Sequence, residues 1–456
     1  MKTTRRSSVT RRAFLKQTAA ATGAVLGAPY VIPGSALGAD DAVAPSNRIT
    51  VGMIGVGRQV LAYNLPQLVA EPDCQVVALC DVDRWRLAVT NDRISTIYGG
   101  KRRCGEFGNV ARTTDFRELL GRKDVDAVMI STPDHWHVPI AVAAIEAGKD
   151  VALEKPITRS IAEGRLLSDL VTKHKRIFRV DSEFRSKPVS VKACELVRNG
   201  RIGKVKRIIS GVPGGLLNSS RTLTSPKYVE MPVPEELNYE MWLGPAPMKP
   251  YTEQRVQQIK GYERPGWMNI LDYCDGMITN WGTHLNDIVQ WANDTERTGP
   301  VEVEGTGRRP PAGGLFDVLM QFEVKYKYAS GIELLYRTER PYVRFEGTEG
   351  WVQVNYFPTN IEAEPKSLLD SKIGPDEIHF PLKGDKRDFL DSVKSRQPTM
   401  EDAEVGHRTT SLCHLGHIAV QVGGKLKWDP DAERFTNSDE ANKLIARPPG
   451  RKPWAL

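Results

Sequence analysis

DAVMISTPDHWHVPIAVAAIEAGKDVALEKPIT, residues 126–158, holds two short apolar runs separated by one helical pattern. The first run, Ala127 to Ile130, ends in Ser131-Thr132-Pro133. A helix follows, opened by Pro139, whose missing N–H costs nothing in a first turn, and closed at Gly148. The second run, Val151 to Leu153, stops at Glu154-Lys155-Pro156. Strand, helix and strand at this spacing form a βαβ crossover, the unit of a parallel sheet. Ligands of open parallel sheets gather at the carboxyl ends of the strands. The polar residues Thr132, His135, His137 and Lys155 all fall there.

Upstream, Arg48 to Ile54 reads as a buried strand followed at once by Gly55-Val56-Gly57, then by a helical pattern in Leu61, Leu65, Leu68 and Val69. The glycines let backbone approach a pyrophosphate, which a helix N-terminus stabilises. Val60 stands where a third glycine completes the usual fingerprint. The next strand, Val76 to Cys80, ends in Asp81, placed to accept from an adenosine ribose. Its charge repels a 2′-phosphate, which favours NAD, while Arg84 keeps NADP open. Arg84 to Tyr98 reads as a helix stopped by Gly99-Gly100, and 101–109 as a basic loop. A strand near Val110 to Thr113, a short helix from Asp115 to Leu120, a capping box at Ser160 to Glu163 and a strand at Ile177 to Val180 complete a doubly wound α/β domain over 47–180. The candidate cofactor set is Gly55, Gly57, Arg58, Gln59, Asp81, Thr132, Pro133, His137, Glu154 and Lys155.

The chain has 456 residues and a net charge of +7. Thr10-Arg11-Arg12-Ala13-Phe14-Leu15-Lys16 precedes an alanine-rich run and small residues near Gly38 and Ala39, the pattern of a twin-arginine export signal over 1–39. Six of the excess positive charges lie in that segment, so the remainder carries only one and gives a nucleic-acid reading little support. The export machinery is therefore an expected partner and the periplasm an expected location. Cys74, Cys80, Cys104, Cys194, Cys274 and Cys413 are scattered without ligand-like spacing, which points to buried thiols.

From 181 to 430 the pattern is that of a second domain, with 431–456 as a tail. Helices are expected at Ser190 to Asn199, Asp385 to Ser395 and Asp402 to Val422. Strands are expected at 203–209, Phe316 to Val324, Gly331 to Thr338, Tyr342 to Phe345 and Trp351 to Tyr356. Residues 211–270 read as loop. Leu285, Ile288, Val289 and Trp291 mark the buried side of a helix that His284 opens, with Asp287 one turn on.

Gly-x-Gly after the first strand, Thr-Pro-x-x-x-His at 132–137, Glu-Lys-Pro at 154–156 and the segment Tyr273 to Trp291 resemble the family of glucose–fructose oxidoreductase, inositol dehydrogenase and MocA (Gfo/Idh/MocA). The resemblance covers nearly the whole chain after the export signal. It implies an NAD(P)-binding domain followed by an α/β domain with a large, mostly antiparallel sheet whose open face serves oligomerisation, hence a dimer or tetramer. In such relatives a lysine works with an Asp-x-x-x-His pair; here these are Lys155 and His284, and the aspartate position is Asn280, which hydrogen-bonds but takes no proton. On this reading His284 is the general base toward a carbinol, Lys155 orients the oxygen, Asp287 positions the imidazole, and Asp275 is a second candidate acid.

Each assignment has a plainer counterpart. His284 also suits a helix cap, Lys155 a strand-end surface residue, and His135 exposure to solvent. His135, His137 and His284 do not make a convincing metal set, and no metal is assigned. His407, His414 and His417 suit packing. Trp242, Trp267, Tyr273 and Trp281 suit sugar stacking and core filling equally. Three functions remain: a sugar or polyol oxidoreductase with tightly bound NAD; a glycosidase working by transient oxidation and elimination, whose distinctive histidine motif is not found; and a non-catalytic nucleotide- or sugar-binding protein.

Overall fold

The computed structural model describes residues 43–100, 110–214 and 227–454; the segment 1–39 read as an export signal, the stretch 101–109 read as a basic loop and Cys104 lie outside the described residues. The first domain alternates strand and helix: β1 (Ile49–Ile54), α1 (Leu65–Ala70), β2 (Cys74–Cys80), α2 (Arg84–Gly100), β3 (Ala111–Thr113), α3 (Phe116–Leu120), β4 (Ala127–Ile130), α4 (His137–Glu146), β5 (Asp150–Glu154), α5 (Ile161–His174) and β6 (Phe178–Asp181). The six strands pair in parallel in the order β3-β2-β1-β4-β5-β6. Helices cover both faces, so β4 and the centre of β5 are apolar without alternation and wholly buried.

Register sets the edge. Ile54 pairs with Cys80 and with Ile130, Ile130 with Leu153, and Glu154 with Asp181. Asp81, Gly55 and Ser131 follow directly and stand in one row with Glu154 and Asp181. Before α1 the chain makes a π turn, Val60–Asn64. A third glycine would let helix and strand approach closely; Val60 is fully buried there instead, and the wider turn accommodates it. The same turn brings Asn64 inward, where its Nδ2 donates to Ser131 Oγ (3.1 Å) and Glu154 Oε1 (3.0 Å). At α5, Ser160 caps the Glu163 amide as the pattern implies, but Glu163 Oε2 accepts from Arg159 N (3.0 Å), one residue further back than in a capping box.

The second domain comprises α6 (Pro188–Arg198), β7 (Val205–Val212), α7 (Tyr239–Leu243), α8 (Met277–Asn280), α9 (Gly282–Ala292), β8 (Glu302–Arg308), β9 (Gln321–Lys327), β10 (Glu333–Thr338), β11 (Tyr342–Gly347), β12 (Trp351–Tyr356), β13 (Thr359–Glu364), α10 (Asp385–Ser395), α11 (Ala403–Val422), β14 (Leu426–Asp429), β15 (Arg434–Phe435) and α12 (Asp439–Asn442). Its nine-stranded sheet runs β13-β12-β11-β7-β10-β9-β8-β14-β15, antiparallel except for β7 against β10. Residues alternate exposed and buried along β9, and the inner face packs on α6, α9 and α11. Every residue of α9 is buried, not only its apolar stripe, because the sheet lies on one side and α6 and α11 on the other. The apolar run from Phe316 does not pair as a strand until Gln321. Leu315, Phe316, Val318 and Met320 instead fill a separate cluster with Trp242, Tyr251 and Ile270, so the run signalled burial rather than pairing. Among the described residues no helix is long and apolar enough to cross a membrane.

Two later segments return to the first domain. Phe389 and Leu390 of α10 pack with Val51, Leu79 and Ile177. Lys386, buried at 3 % exposure, ion-pairs with Asp181 and with Asp385 Oδ2 (2.9 Å), and Arg179 Nε donates to Asp388 Oδ2 (3.0 Å). The stretch read as a tail carries β15 and α12 and then folds back. Arg447 Nε donates to the Arg159 carbonyl (2.7 Å), Arg447 also ion-pairs with Asp275, and the Trp454 ring meets Trp136 edge-on at 5.3 Å. Lys386→Met would leave two interior carboxylates without their cation. Breaking a buried pair from one side costs ~3–5 kcal/mol, so chemical denaturation should show a loss of that order. An unchanged midpoint would show that α10 is not anchored by this pair.

Candidate active site

A cleft of about 340 Å³ opens over the row of strand ends and takes its walls from both domains. All cofactor-binding and catalytic candidates line it except Asp287 and the second candidate acid, Asp275. Arg58 is exposed and Gln59 half-buried at its rim.

The residues fit a dinucleotide. Gly55 has φ +80°, and a Cβ there would lie 2.8 Å from the Ser131 carbonyl, so any side chain is excluded by both backbone conformation and contact. At Gly57 nothing lies within 4 Å of the Cβ position, which leaves open the approach a pyrophosphate needs. Asp81 Oδ2 accepts from the Val56 amide (2.7 Å) and Oδ1 from Asp83 N (2.9 Å), tying the glycine turn to the end of β2. Burial pushes its carboxyl up to about 6, against the pull of the Val56 bond. Thr132 Oγ1 is buried with no hydrogen-bond partner. Arg84 Nη2 donates to the Glu235 carbonyl (2.7 Å), so the arginine that kept NADP open is already engaged. His137 bridges two carbonyls, Nδ1 to Pro156 O (2.7 Å) and Nε2 to Thr132 O (2.9 Å), and so joins the loops after β4 and β5. Burial raises the Glu154 carboxyl, and the neighbouring Asp181 charge raises it further.

Lys155 enters from the end of β5, and its Nζ donates to the Asn280 carbonyl (3.3 Å). Asn280 closes α8, and His284 lies in the first turn of α9. His284 Nδ1 and Ser182 Oγ are 2.8 Å apart, and Phe184 stacks on the imidazole at 4.3 Å and 17°. Burial first, then the Lys155 and Lys187 charges, holds the His284 pKa well below the usual histidine range.

Several expectations are corrected. Asp287 makes no hydrogen bond to the imidazole: its carboxylate is taken by Arg185, Nε to Oδ2 and Nη2 to Oδ1 at 2.6 Å each. Asp275 does not line the cleft. Burial alone would raise its carboxyl, but Arg447 and Arg159 outweigh that and hold it low. His135 is buried rather than exposed, with Nε2 at 2.9 Å from the Trp242 carbonyl, and therefore faces a different carbonyl from His137. Tyr273 is fully buried against Trp242 and His135 and fills the core, whereas Trp242, Trp267 and Trp281 reach the cleft. His407 and His414 bond to Glu433 and to the Thr158 carbonyl. Sequence reasoning missed Ser182, Phe184 and Phe357. Phe357, 69 % exposed on the turn from β12 to β13, meets Trp281 at 5.6 Å at the cleft mouth. A lone exposed aromatic beside a strand pattern is the only signal that could have marked it.

Residues 49–182 match the oxidoreductase family's NAD-binding Rossmann fold, and residues 190–456 match its C-terminal alpha/beta domain, both in the Gfo/Idh/MocA grouping. A levoglucosan dehydrogenase of Pseudarthrobacter phenanthrenivorans is 34 % identical over 99 residues, covering 22 % of this chain and 25 % of the relative. A glycosyl hydrolase family 109 protein of Saccharopolyspora erythraea is 33 % identical over 184 residues, 38 % of this chain and 39 % of the relative. Thus the matches span well under half of either relative's length. The aldose–aldose oxidoreductase of Caulobacter crescentus, crystallised with glycerol, shares the fold at TM-score 0.59 and 16 % identity, covering 83 % of this chain and 99 % of that one.

The two glycines should respond differently to an added methyl. Gly57→Ala meets no protein atom and should leave the melting temperature unchanged while weakening NAD binding, read by calorimetric titration. Gly55→Ala should lower both, since it forces a left-handed residue (~1–2 kcal/mol) into the Ser131 backbone. Equal NAD affinity in Gly57→Ala and the parent would remove the turn from the binding site.

Proposed function

The chain belongs to the Gfo/Idh/MocA family of oxidoreductases, and from that premise we propose that it moves hydride between a carbinol of a small carbohydrate or polyol and a tightly held NAD. The observation that carries this reading is the convergence of Lys155, from the first sheet, and His284, from the second domain, on one cleft. NAD bound there supplies the hydride acceptor. Lys155 uses one of its three ammonium hydrogens on the Asn280 carbonyl and keeps two for a substrate oxygen. His284, kept neutral by its surroundings, takes the carbinol proton. The Asn280 amide orients a hydroxyl without competing for that proton. Trp281 and Phe357 offer flat apolar faces suited to the C–H side of a sugar ring.

Export by the twin-arginine route belongs to the same reading, supported by Arg11-Arg12 and the alanine-rich run behind them. A folded-protein route suits an enzyme that must load its nucleotide before leaving the cytoplasm. Such an enzyme would recycle the cofactor between two substrates and work as a homodimer or homotetramer. One observation favours a second reading: the likeness to a family 109 glycosyl hydrolase. There the hydride would leave and return within one turnover, with no net NADH.

The absorbance of the purified protein, mixed in turn with a panel of sugars and polyols, separates these. Reduction of bound nicotinamide by one sugar and reoxidation by another supports the oxidoreductase. Release of an aglycone without net NADH would transfer the assignment to the glycosidase. A protein silent in both, even with added NAD, would reduce it to a binding protein. His284→Ala should lower turnover about 10²–10⁴-fold with NAD still bound. Because the imidazole pKa is depressed, its basic form persists as pH falls, so the acid limb of the oxidation rate should lie below pH ~6.5, the ordinary histidine value. A limb at or above that value would exclude His284 as the base. Phe357→Ala should raise KM about 2–10-fold with kcat little changed, as expected for loss of a contact worth ~0.5–1.5 kcal/mol.

A further inference from the structure

Ser182 directly follows β6 and is fully buried. Its hydroxyl is the hydrogen-bond partner of His284 Nδ1 at 2.8 Å. Two residues on, Phe184 lies flat on the imidazole and is itself backed by Tyr356 at 4.3 Å and 24°. The next residue, Arg185, grips both carboxylate oxygens of Asp287, one turn beyond His284 on α9. Three of four consecutive side chains therefore hold the same histidine by its edge, its face and its helix. The position four before the histidine, where relatives carry an acid, is Asn280, and its carbonyl serves Lys155.

We propose that the segment Ser182–Arg185 positions His284 for proton transfer, with Nδ1–H donating to Ser182 Oγ and the Nε2 lone pair presented to the cleft. The proposal rests on the reading of His284 as the base. A serine hydroxyl can donate or accept, so the choice of tautomer lies with the surroundings. Were the hydroxyl to donate to Nδ1, an N–H at Nε2 would face the cleft that Lys155 enters with its ammonium. Lys187, whose ammonium sits 5.1 Å from the Phe184 ring, adds a second positive charge. Lys155, whose ammonium enters the cleft beside Asn280, favours a lone pair on the cleft side of the ring. In oxidation the substrate O–H bond breaks and its proton bonds to Nε2. The electron pair left on oxygen closes the carbonyl as hydride leaves the same carbon; a nicotinamide held in the cleft would be its acceptor, so that the substrate's two electrons would have a place to go. Ser182 touches no reacting atom; it is a positioning residue.

The test uses the full protein labelled with ¹⁵N-histidine. Two-bond nitrogen–proton correlations show which ring nitrogen carries hydrogen, and the His284 signal is identified by its absence in His284→Ala. The expected result is Nδ1–H in the parent, mixed tautomers in Ser182→Ala, and the parent pattern again in Ser182→Thr. In turnover, Ser182→Ala should lower kcat about tenfold at unchanged KM and unchanged bound-nucleotide content, with Ser182→Thr recovering it. An Nε2–H signal in the parent overturns the proposal, as does a Ser182→Ala protein with parental kcat and tautomer. Nδ1–H in a parent protein that turns over no sugar would sustain the positioning while removing the oxidoreductase reading beneath it.

Discussion

Parallel strands that end in register leave a row of backbone amides and carbonyls without a neighbouring strand, and satisfying that row organises this molecule. Gly55 N donates to Cys80 O and Ser131 N to Ile54 O, each at 2.8 Å, so each strand end is closed by the next. Where no backbone partner remains, a side chain takes its place: Asp81 for the Val56 amide, His137 for the Thr132 and Pro156 carbonyls. Asn64 joins the ends of β4 and β5. Groups used this way have little freedom left, so the floor of the cleft is rigid before any ligand arrives, the condition for preorganised binding.

The charged layer beneath that floor depends on both domains. Asp181 ends β6 beside Glu154 of β5, and the cation paired with it, Lys386, comes from α10 more than two hundred residues later. Arg185 and Asp287 repeat the pattern at the domain junction, with a fully buried pair between the segment after β6 and α9. Each carboxylate is acceptable in the interior only while its distant partner is present. The electrostatics around Lys155 and His284 are therefore a property of the assembled chain.

What could be read from the sequence was whatever is local. The glycine turn, the βαβ crossover, the row containing Gly55, Thr132 and Lys155, the serine cap at 160 and the aspartate that opens α11 each have their cause within a few residues. The cofactor crevice was legible for the same reason. What escaped is settled by partners far along the chain. Asp287 looked like an orienting acid because it lies one turn from His284, yet Arg185 takes its carboxylate, and a serine 102 residues upstream takes the imidazole nitrogen. The α9 pattern showed one apolar stripe, but Gln290 is buried too, because the Tyr328 hydroxyl (2.6 Å) and the Thr295 carbonyl (2.8 Å) satisfy its amide. Strand β8 carries glycine or charge at most positions, and β13 has only Ile361 and Ala363 as apolar residues, so neither shows the sustained apolar alternation that marks β9. Their place comes mainly from pairing, with Val303 and Ala363 as their buried contributions to the core.

The segment that folds back through Arg447 and Trp454 has a bearing on how the protein matures. During synthesis the strands of the six-stranded sheet emerge consecutively, so its pairing can begin before Lys386 arrives to offset Asp181. The contact between Arg447 and Arg159 spans 288 residues and must wait until Arg447 has left the ribosome. Until then Asp275 lacks one of its two cations and the outer side of Trp136, a cleft-lining residue, is uncovered. The nucleotide crevice thus exists as a half-built surface for most of translation and acquires its full wall only near the end. Whatever grip that wall adds to a bound nucleotide is therefore acquired only when both domains are complete.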